Sequence, residues 1–387
     1  MIPVSQIANS IAPSMIRSLF NKANTMEDVV DFTLGDPDIP PHKSIKDAAC
    51  NAIQNGKTRY SQNAGLLELR QTISKYYERN EGLRYNPVEE IMVSVGAMEG
   101  LYLALLSMLN PGDEVIIPAP YYVNYLQMVQ MCHGNAIVVE SSPEKPLEPN
   151  IDGIKNAVNE KTRAIIINTP SNPSGKLISQ DIIREIASLA INKDLAVIAD
   201  EVYKKLIYDE KPFRSIAQIE GMRERTVLIN SLSKEFCMTG YRLGYVLAPA
   251  NIISTMTKLQ ENVAACAPLP SQYAGIEALS GKEDYSGAMV ETFARRRNLL
   301  YNNLKELPLI QCYLPEATFY MLVDISQTGM DSIEFAYSLL EKAHVAVVPG
   351  IAYGDCCRNM IRIAFTIGED RIVEGARRIA RFVTELK

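Results

Sequence analysis

Two buried β-strands on either side of a helix constrain the fold of this chain more than any other feature. TRAIIINTP (162–170) and LAVIADE (195–201) are apolar at consecutive positions, so both faces of each strand are predicted to be buried. The segment between them, 178–193, has the apolar spacing of a helix. Doubly buried strands belong in a parallel sheet that helices cover on both faces. The sequence therefore predicts an α/β fold.

The same alternation of short apolar runs and periodic segments continues along the chain. Further strands are predicted at 91–95, 114–118, 136–140, 226–234 and 241–249, and further helices at 96–109 and 252–263. Beyond about residue 280 the pattern changes to a charged helix, 291–307, followed by shorter strands at 317–325, 345–350 and 360–366 and a closing helix from Glu369. We expect three parts: an N-terminal segment (1–40) that packs against the small domain or a partner subunit, a large domain with a mostly parallel sheet (41–285) and a small α+β domain (286–387).

Composition and charge exclude several classes of protein. The net charge of -6 and the absence of a basic run argue against a surface that binds nucleic acid or an acidic membrane. The seven cysteines and three histidines lack metal-ligand spacing, which predicts reduced thiols and no metal. The opening residues lack the basic start and apolar run of a signal peptide, and no apolar run reaches membrane-spanning length. We therefore expect a cytoplasmic protein.

A lysine with unusual neighbours follows one of the apolar strands. In NSLSKEFCMTGYRLGY (230–245), Lys234 stands close to the hydroxyls of Ser231 and Ser233, and Arg242 follows it by eight positions. A lone lysine at this place would indicate only a solvated strand end. Hydroxyls together with a guanidinium are instead suited to binding a phosphate group beside the amine.

The pattern S-x-S-K followed by arginine eight residues later resembles the cofactor-lysine motif of class I/II, fold-type I aminotransferases, and most closely the bacterial aspartate aminotransferase subgroup. Other segments resemble motifs of that family in the family's order, from about Gly35 to Arg362: LGDPDIP (34–40), TRYSQNAG (58–65), SVGAMEG (94–100), PAPYYVNY (118–125), NTPSNPSG (168–175) and ADEVY (199–203). The resemblance implies a fold-type I enzyme whose large domain binds pyridoxal 5'-phosphate (PLP).

The resemblance also implies roles for individual residues around the cofactor ring. Lys234 would carry PLP as a Schiff base, and Asp200 would keep the ring nitrogen protonated. Tyr203 and Asn172 would hydrogen-bond the phenolic oxygen, and Tyr122 would stack on the ring. Without the resemblance, Asp200 would suit a turn cap, Asn172 a simple turn and Tyr122 an exposed loop position.

Further roles concern the phosphate, the substrate and the subunit arrangement. The phosphate would be bound by backbone and side-chain groups of Gly96, Ala97, Met98, Ser231, Ser233 and Arg242. Arg362 would bind the α-carboxylate of the substrate, with Gly35, Tyr122 and Asn172 beside it. Tyr60 would reach the phosphate of the neighbouring subunit, which predicts an obligate homodimer.

The predicted activity is transfer of the amino group of an L-amino acid to a 2-oxo acid by a ping-pong mechanism. Relatives specialised for aspartate often carry a lysine at the position of Met98. Because methionine is uncharged, aromatic or broad neutral donors are favoured over aspartate, unless an arginine or lysine elsewhere replaces that charge. Two alternatives stay open, a β-eliminating C–S lyase with the same fold and a regulatory protein without activity. A nicotinamide-dinucleotide enzyme is disfavoured because no predicted strand is followed by G-x-G-x-x-G.

Overall fold

The computed structural model describes residues 2–13 and 15–386. Its α-helices are α1 (Gln6–Ser10), α2 (Met15–Ala23), α3 (Lys43–Gln54), α4 (Leu67–Glu81), α5 (Gly96–Met108), α6 (Asn124–Met131), α7 (Ile151–Ala157), α8 (Gln180–Lys193), α9 (Leu232–Glu235), α10 (Ala250–Val263), α11 (Leu269–Leu279), α12 (Gly287–Leu304), α13 (Ser332–Ala343) and α14 (Glu369–Glu385). Its strands are β1 (Val30–Asp31), β2 (Ile91–Ser94), β3 (Glu114–Pro118), β4 (Asn135–Val139), β5 (Thr162–Asn168), β6 (Ala196–Asp200), β7 (Thr226–Ser231), β8 (Gly244–Leu247), β9 (Gln311–Cys312), β10 (Tyr320–Asp324), β11 (Val345–Ala346), β12 (Val348–Pro349) and β13 (Met360–Ala364). Among the described residues, no helix combines the length and the apolar character needed to cross a membrane.

The main sheet has the strand order β2-β8-β7-β6-β5-β3-β4. Strands β7, β6, β5, β3 and β4 are parallel, and β8 runs antiparallel to both of its neighbours. Helices cover both faces, which is why the strand residues Ile165–Ile167 and Val197–Ala199 are buried at consecutive positions. The α/β class with a mostly parallel sheet is thus confirmed.

The carboxyl ends of the parallel strands meet at one edge of the main sheet. Asn168, Asp200 and Ser231 are the last residues of three adjacent strands, β5, β6 and β7. Strand β2 runs in the same direction as β7, because β8 is antiparallel to both, so α5 also begins at this edge. Loops at the carboxyl edge of an open α/β sheet are the usual place for a ligand.

A second sheet, which we call the C-terminal sheet, has the antiparallel order β12-β13-β10-β9. Arg362 lies on its central strand β13, opposite Leu322 on β10 and Val348 on β12. Strand β1 pairs in parallel with β11 beside this sheet. The predicted domain boundaries after residues 40 and 285 stay predictions.

Several strands are shorter than the sequence predicts, and two of them flank Lys234. The strand expected at 226–234 ends at Ser231, whose Oγ accepts a hydrogen bond from the Ser233 backbone N–H at 3.1 Å and caps the short helix α9. Lys234 therefore lies on a helical turn and not on a strand. The strand expected at 241–249 begins only at Gly244, because Arg242 has a left-handed backbone with φ 49°.

The N-terminal segment contains helices that its polar composition did not predict. Helix α1 lies against α6, and α2 lies against β11 and β12. Leu19 and Ala23 on α2 are buried in the apolar core around the C-terminal sheet. The segment thus runs from the main sheet's helices to the C-terminal sheet.

Candidate active site

A cavity of about 480 Å³ opens at the carboxyl edge of the main sheet and is also lined by the loop after β1 and by residues of β10 and β13. Its lining contains most of the residues predicted to have a functional role: Gly35, Ala97, Met98, Tyr122, Asn172, Asp200, Tyr203, Ser231, Ser233, Lys234, Arg242 and Arg362. These residues come from the N-terminal, middle and C-terminal parts of the chain. The fold is what brings them together.

The amine of Lys234 is held by the loop that follows β1. Its Nζ donates a hydrogen bond to the carbonyl oxygen of Gly35 at 2.7 Å and lies 5.4 Å from the ring centroid of Phe319. A Cβ atom at Gly35 would lie 1.7 Å from the hydroxyl of Tyr320. Only glycine therefore lets this backbone pass close enough to the C-terminal sheet to meet the lysine.

An anion-binding arrangement lies next to Lys234. The hydroxyls of Ser231 and Ser233 are 2.9 Å apart, and the Arg242 guanidinium lies against the first residue of α5. A Cβ atom at Gly96 would lie 2.4 Å from Nη2 of Arg242, so a larger residue would displace the guanidinium. The N-terminus of α5 presents backbone N–H groups and the positive end of the helix dipole at the same place. Together these groups suit a phosphate.

Asp200 is a buried carboxylate at the end of β6. It accepts hydrogen bonds from the hydroxyl of Tyr125 at 2.7 Å and from the backbone N–H of Val202 at 3.3 Å. Burial raises its pKa to about 6, although both hydrogen bonds act in the opposite direction. A cationic group bound in the cavity would stabilise the ionised carboxylate.

Asn172 contacts Arg362 directly and is connected to Asp200 through Asn168. Its side-chain oxygen accepts a hydrogen bond from Nη1 of Arg362 at 3.0 Å. Asn168 orients the loop, because its side chain accepts from the Asn172 backbone N–H at 2.7 Å and donates to the Asp200 carbonyl at 3.0 Å. One short loop thus connects the carboxylate side of the cavity to the guanidinium side.

Arg362 is a buried guanidinium on the C-terminal sheet. Nη2 donates to the Thr33 carbonyl at 2.6 Å, and the guanidinium carbon lies 4.2 Å from the ring centroid of Tyr320 and 5.2 Å from that of Tyr353. Its Nε is buried without a hydrogen-bond partner. A buried donor without a partner is costly, so the site is suited to an added acceptor such as a carboxylate.

Tyrosines form the remaining polar wall. The hydroxyl of Tyr203 donates to that of Tyr320 at 3.2 Å, and burial raises the pKa of Tyr203 well above its usual value. The hydroxyl of Tyr122 points to the sulfur of Met98 at 3.6 Å. Burial raises the pKa of Tyr122 as well, so both phenols stay neutral at physiological pH.

Residues 27–379 match the family described as Aminotransferase class I and II. The chain belongs to that family. It is therefore a PLP-dependent aminotransferase acting on amino acids, as the resemblance of its motifs implied. The cavity fits this cofactor on two structural grounds: the anion-binding groups beside α5 and the buried Asp200 carboxylate, which matches a protonated ring nitrogen.

Alignments with similar proteins extend over almost the whole aminotransferase chain. The putative aminotransferase YugH of Bacillus subtilis is 39% identical over 98% of both chains. An aspartate aminotransferase of Pyrococcus abyssi is 38% identical over 97% of both chains. The crystal structure of an aromatic aminotransferase from Pyrococcus horikoshii superposes with a TM-score of 0.90 at 37% identity, covering 95% of this chain and 99% of that one. The fold-type I architecture is thus confirmed.

Tyr60 lies apart from the other predicted site residues of the aminotransferase. Its side chain is 87% exposed and is not part of the cavity lining. Gly96 is also outside the lining, but it lies against the guanidinium of Arg242, which is a lining residue.

The structure adds lining or supporting residues that the sequence did not indicate: Arg17, Thr33, Asn124, Tyr125, Asn168 and Tyr320. Asn124, Tyr125 and Asn168 lie within quoted motifs, but nothing in the motifs indicated a separate role for them. Arg17 could have been noticed from its charge, because it and Lys22 are the only charged residues in the first 25 positions of the sequence.

Proposed function

We propose that this aminotransferase moves the amino group of an L-amino acid, aspartate or an aromatic or neutral donor, to a 2-oxo acid such as 2-oxoglutarate in a ping-pong reaction. The observation that carries the proposal is the convergence of Lys234, Asp200 and Arg362 on one cavity. An amine, a buried carboxylate and a buried guanidinium are what amino transfer on PLP requires: a proton carrier, a partner for the ring nitrogen and a clamp for the substrate.

Residues at the start of α5 and around α9 would hold the phosphate. The hydroxyls of Ser231 and Ser233 and the guanidinium of Arg242 supply side-chain donors. The backbone of Gly96, Ala97 and Met98 supplies N–H groups at the helix N-terminus.

A second set of residues would hold the ring. When bound, PLP supplies an electron sink for the bonds of the substrate α-carbon. Asp200 would keep the ring nitrogen protonated, and Tyr122 would stack on the ring. Asn172 and Tyr203 would donate to the phenolic oxygen, and both side chains line the cavity.

Arg362 would bind the α-carboxylate of the substrate. Asn172 and the Thr33 carbonyl hold two of its nitrogens, which fixes the plane of the guanidinium. The buried Nε is then satisfied by the carboxylate. Gly35 allows the backbone next to this carboxylate to approach closely.

Lys234 would carry the cofactor and, once displaced by the substrate amine, act as the proton carrier at the α-carbon. The Gly35 carbonyl accepts from its Nζ at 2.7 Å and so orients the amine. Because Gly35 also lies beside the proposed substrate site, the same contact would position Nζ near the α-carbon.

We further propose a homodimer in which Tyr60 reaches the phosphate of the partner's site. The exposure of its ring and its absence from its own cavity support this arrangement. A large aromatic side chain that is 87% exposed is well suited to an interface. The cytoplasmic location expected from the sequence stays a prediction.

A panel of amino-acid donors tested against 2-oxoglutarate, oxaloacetate and pyruvate would test the proposal. We expect amino-acid-dependent conversion of the 2-oxo acid and parallel lines in double-reciprocal plots, as a ping-pong reaction gives. Release of ammonia and pyruvate from cystathionine without a 2-oxo acid would instead support the C–S lyase alternative. Cofactor binding without either reaction would favour the regulatory alternative.

A further inference from the structure

Two adjacent cysteines, Cys356 and Cys357, lie on the loop between β12 and β13, outside the residues that line the cavity. All seven cysteines of the chain fall within the described residues, and none of them forms a disulfide. The two sulfur atoms of the pair are 3.9 Å apart. The side chain of Cys356 is partly exposed, whereas that of Cys357 is buried against Leu322 and Met360. One thiol of the pair can therefore be reached from solvent, and the other is held beside it.

The neighbouring thiol makes Cys356 more reactive than an isolated buried cysteine. The hydrogen bond from the thiol of Cys357 lowers the pKa of Cys356 below its usual value. Burial instead raises the pKa of Cys132, Cys237 and Cys312 to about 12. Because the thiolate is the nucleophile in thiol–disulfide exchange, Cys356 is favoured over these three cysteines to attack a disulfide.

Glu140, which follows β4, holds the cysteine loop to the main sheet. Its carboxylate oxygens accept hydrogen bonds from the backbone N–H of Asp355 at 3.1 Å and from that of Cys356 at 2.9 Å. The packing beside this contact is close, because a Cβ atom at Gly354 would lie 3.0 Å from the Cβ of Ala119. A single carboxylate thus fixes the backbone at Cys356.

The same loop reaches the active site through Tyr353, three residues before Cys356. The ring of Tyr353 is buried, and its centroid lies 5.2 Å from the guanidinium carbon of Arg362. The Tyr353 carbonyl accepts a hydrogen bond from the Tyr121 backbone N–H at 3.1 Å. A shift of the backbone at Cys356 would therefore disturb the aromatic packing that supports Arg362.

We propose that Cys356 and Cys357 form a reversible oxidation site that reacts with low-molecular-weight disulfides such as glutathione disulfide. The Cys356 thiolate attacks the reagent, which gives a mixed disulfide and releases one thiolate of the reagent. Cys357 then loses its proton, attacks Sγ of Cys356 and displaces the second thiolate. The two protein thiols lose two electrons and two protons, and the reagent disulfide is reduced to two thiols.

Closing this disulfide would change the backbone of the loop. Adjacent Cα atoms are about 3.8 Å apart, which is shorter than the roughly 4.4 to 6.8 Å usual for a disulfide. The resulting strain would move the Cys356 N–H away from Glu140 and Tyr353 away from Arg362, and it would make the bond easy to reduce. We expect weaker substrate binding in the oxidised enzyme. This consequence rests on the proposed function, in which Arg362 binds the α-carboxylate.

Peptide mapping of the holoenzyme after incubation with glutathione disulfide tests the oxidation site. Residues 343–358 form one tryptic peptide, which contains Cys356 and Cys357 and no other cysteine. This peptide should become two hydrogens lighter, and dithiothreitol should reverse the change. Cys357→Ala should retain the mixed disulfide on Cys356, because the second step is blocked, and Cys356→Ser should give neither product. Cys50→Ser, which removes an exposed cysteine on α3, should react as wild type does.

Kinetics of the oxidised holoenzyme test the link to Arg362. The KM for the amino-acid donor should rise by about 10-fold, the effect of weakening one hydrogen bond to a charged group, with a smaller change in kcat. Dithiothreitol should restore the original KM. A 343–358 peptide that stays reduced would overturn this inference, and a disulfide that leaves KM unchanged would overturn the link to Arg362. A reduced wild-type enzyme without transaminase activity would contradict the proposed function itself, and the peptide map would still decide the oxidation site.

Discussion

Nη1 of Arg362 donates a hydrogen bond to the side-chain oxygen of Asn172 at 3.0 Å, and this contact ties the C-terminal sheet to the loop after β5. The second terminal nitrogen donates to the Thr33 carbonyl at 2.6 Å. The guanidinium is therefore fixed from two sides, and only Nε is buried without a partner. A substrate carboxylate would meet a preorganised group, which reduces the loss of entropy on binding.

Replacement of Arg362 by lysine tests this relationship. Lysine keeps the charge but cannot hold Asn172 and Thr33 while presenting a planar pair of donors to a carboxylate. We expect kcat/KM for amino-acid donors to fall by about 30-fold or more, because loss of a buried charged hydrogen bond costs about 2 to 5 kcal/mol. The cofactor content of the purified variant should match wild type. A loss smaller than about threefold would mean that another group binds the α-carboxylate.

The charge of Asp200 should have opposite effects on the stability of the cofactor-free protein and on cofactor binding. Its pKa is raised from 3.8 to about 6 by burial, so the folded state binds this proton more tightly than the unfolded state. The stability that the carboxyl contributes is fully present at low pH and is lost as pH rises from about 4 to about 6. A bound cation beside Asp200 would remove this loss.

The Asp200→Asn variant should therefore be more stable than wild type without cofactor and less able to retain the cofactor. Above about pH 6, urea unfolding of the cofactor-free variant should show a gain of up to about 3 kcal/mol, since two pKa units correspond to roughly that energy. Dialysis of the holoprotein should release cofactor faster from the variant. A cofactor-free variant that is no more stable than wild type above about pH 6 would contradict this electrostatic account of Asp200.

The sequence predicted the parallel strands because burial on both faces leaves a long apolar run, as in 162–170 and 195–201. It did not predict the helical turn at Lys234, since that turn depends on a hydrogen bond from the Ser233 N–H to the Ser231 side chain. A single side-chain-to-backbone hydrogen bond of this kind leaves no pattern of apolar and polar residues in the sequence.

Site residues were predictable only where a motif contained them. Asp200 and Arg362 belong to motifs with a known order, and the fold brings both to one cavity. Tyr125 is the last residue of the motif 118–125, but its hydrogen bond to Asp200 depends on the packing of α6 against β6 and could not be deduced from the motif. Arg17 comes from a segment whose place beside the cavity depends on long-range packing against α6 and the C-terminal sheet. Contacts of that kind cannot be deduced from local sequence.

A buried ion pair at Lys204, the residue after Tyr203, should be important for stability. The ammonium of Lys204 pairs with Glu81 and lies 3.7 Å from the ring centroid of Tyr77. Burial lowers the pKa of Lys204, but Glu81, Tyr245 and Glu201 together raise it more, so the amine stays charged. Lys204→Met would leave buried carboxylates without their cation.

We expect Lys204→Met to reduce the free energy of unfolding by about 3 to 5 kcal/mol, the usual cost of breaking a buried ion pair. The double variant with Glu81→Gln should lose less than the sum of the two single losses, because it removes both charges. Urea unfolding of the holoenzyme measures the free energy of unfolding of the two single variants and of the double variant. Additive losses would show that the two side chains act independently.

Glu201, the residue after Asp200, adds a pH dependence to the same region. Burial, followed by the charge of Glu81, raises its pKa to about 8. Because the pKa is higher in the folded state than its usual 4.5, stability should be lost as pH rises from about 4.5 to about 8. Glu201→Gln should flatten this part of the pH profile of unfolding, and a variant with the wild-type slope would exclude Glu201 as its source.

Two variants that we expect to be inactive test whether the active site is shared between subunits. Lys234→Ala lacks the proposed proton carrier, and Tyr60→Ala lacks the side chain proposed to reach the partner's phosphate. In a hybrid dimer, one of the two sites would combine an intact Lys234 with an intact Tyr60 from the other chain. Refolding equal amounts of the two variants together should therefore restore about a quarter of wild-type activity, since about half of the dimers are hybrids with one complete site. If Tyr60 instead served the site of its own chain, each site of the hybrid would lack one of the two side chains, and mixing would restore no activity.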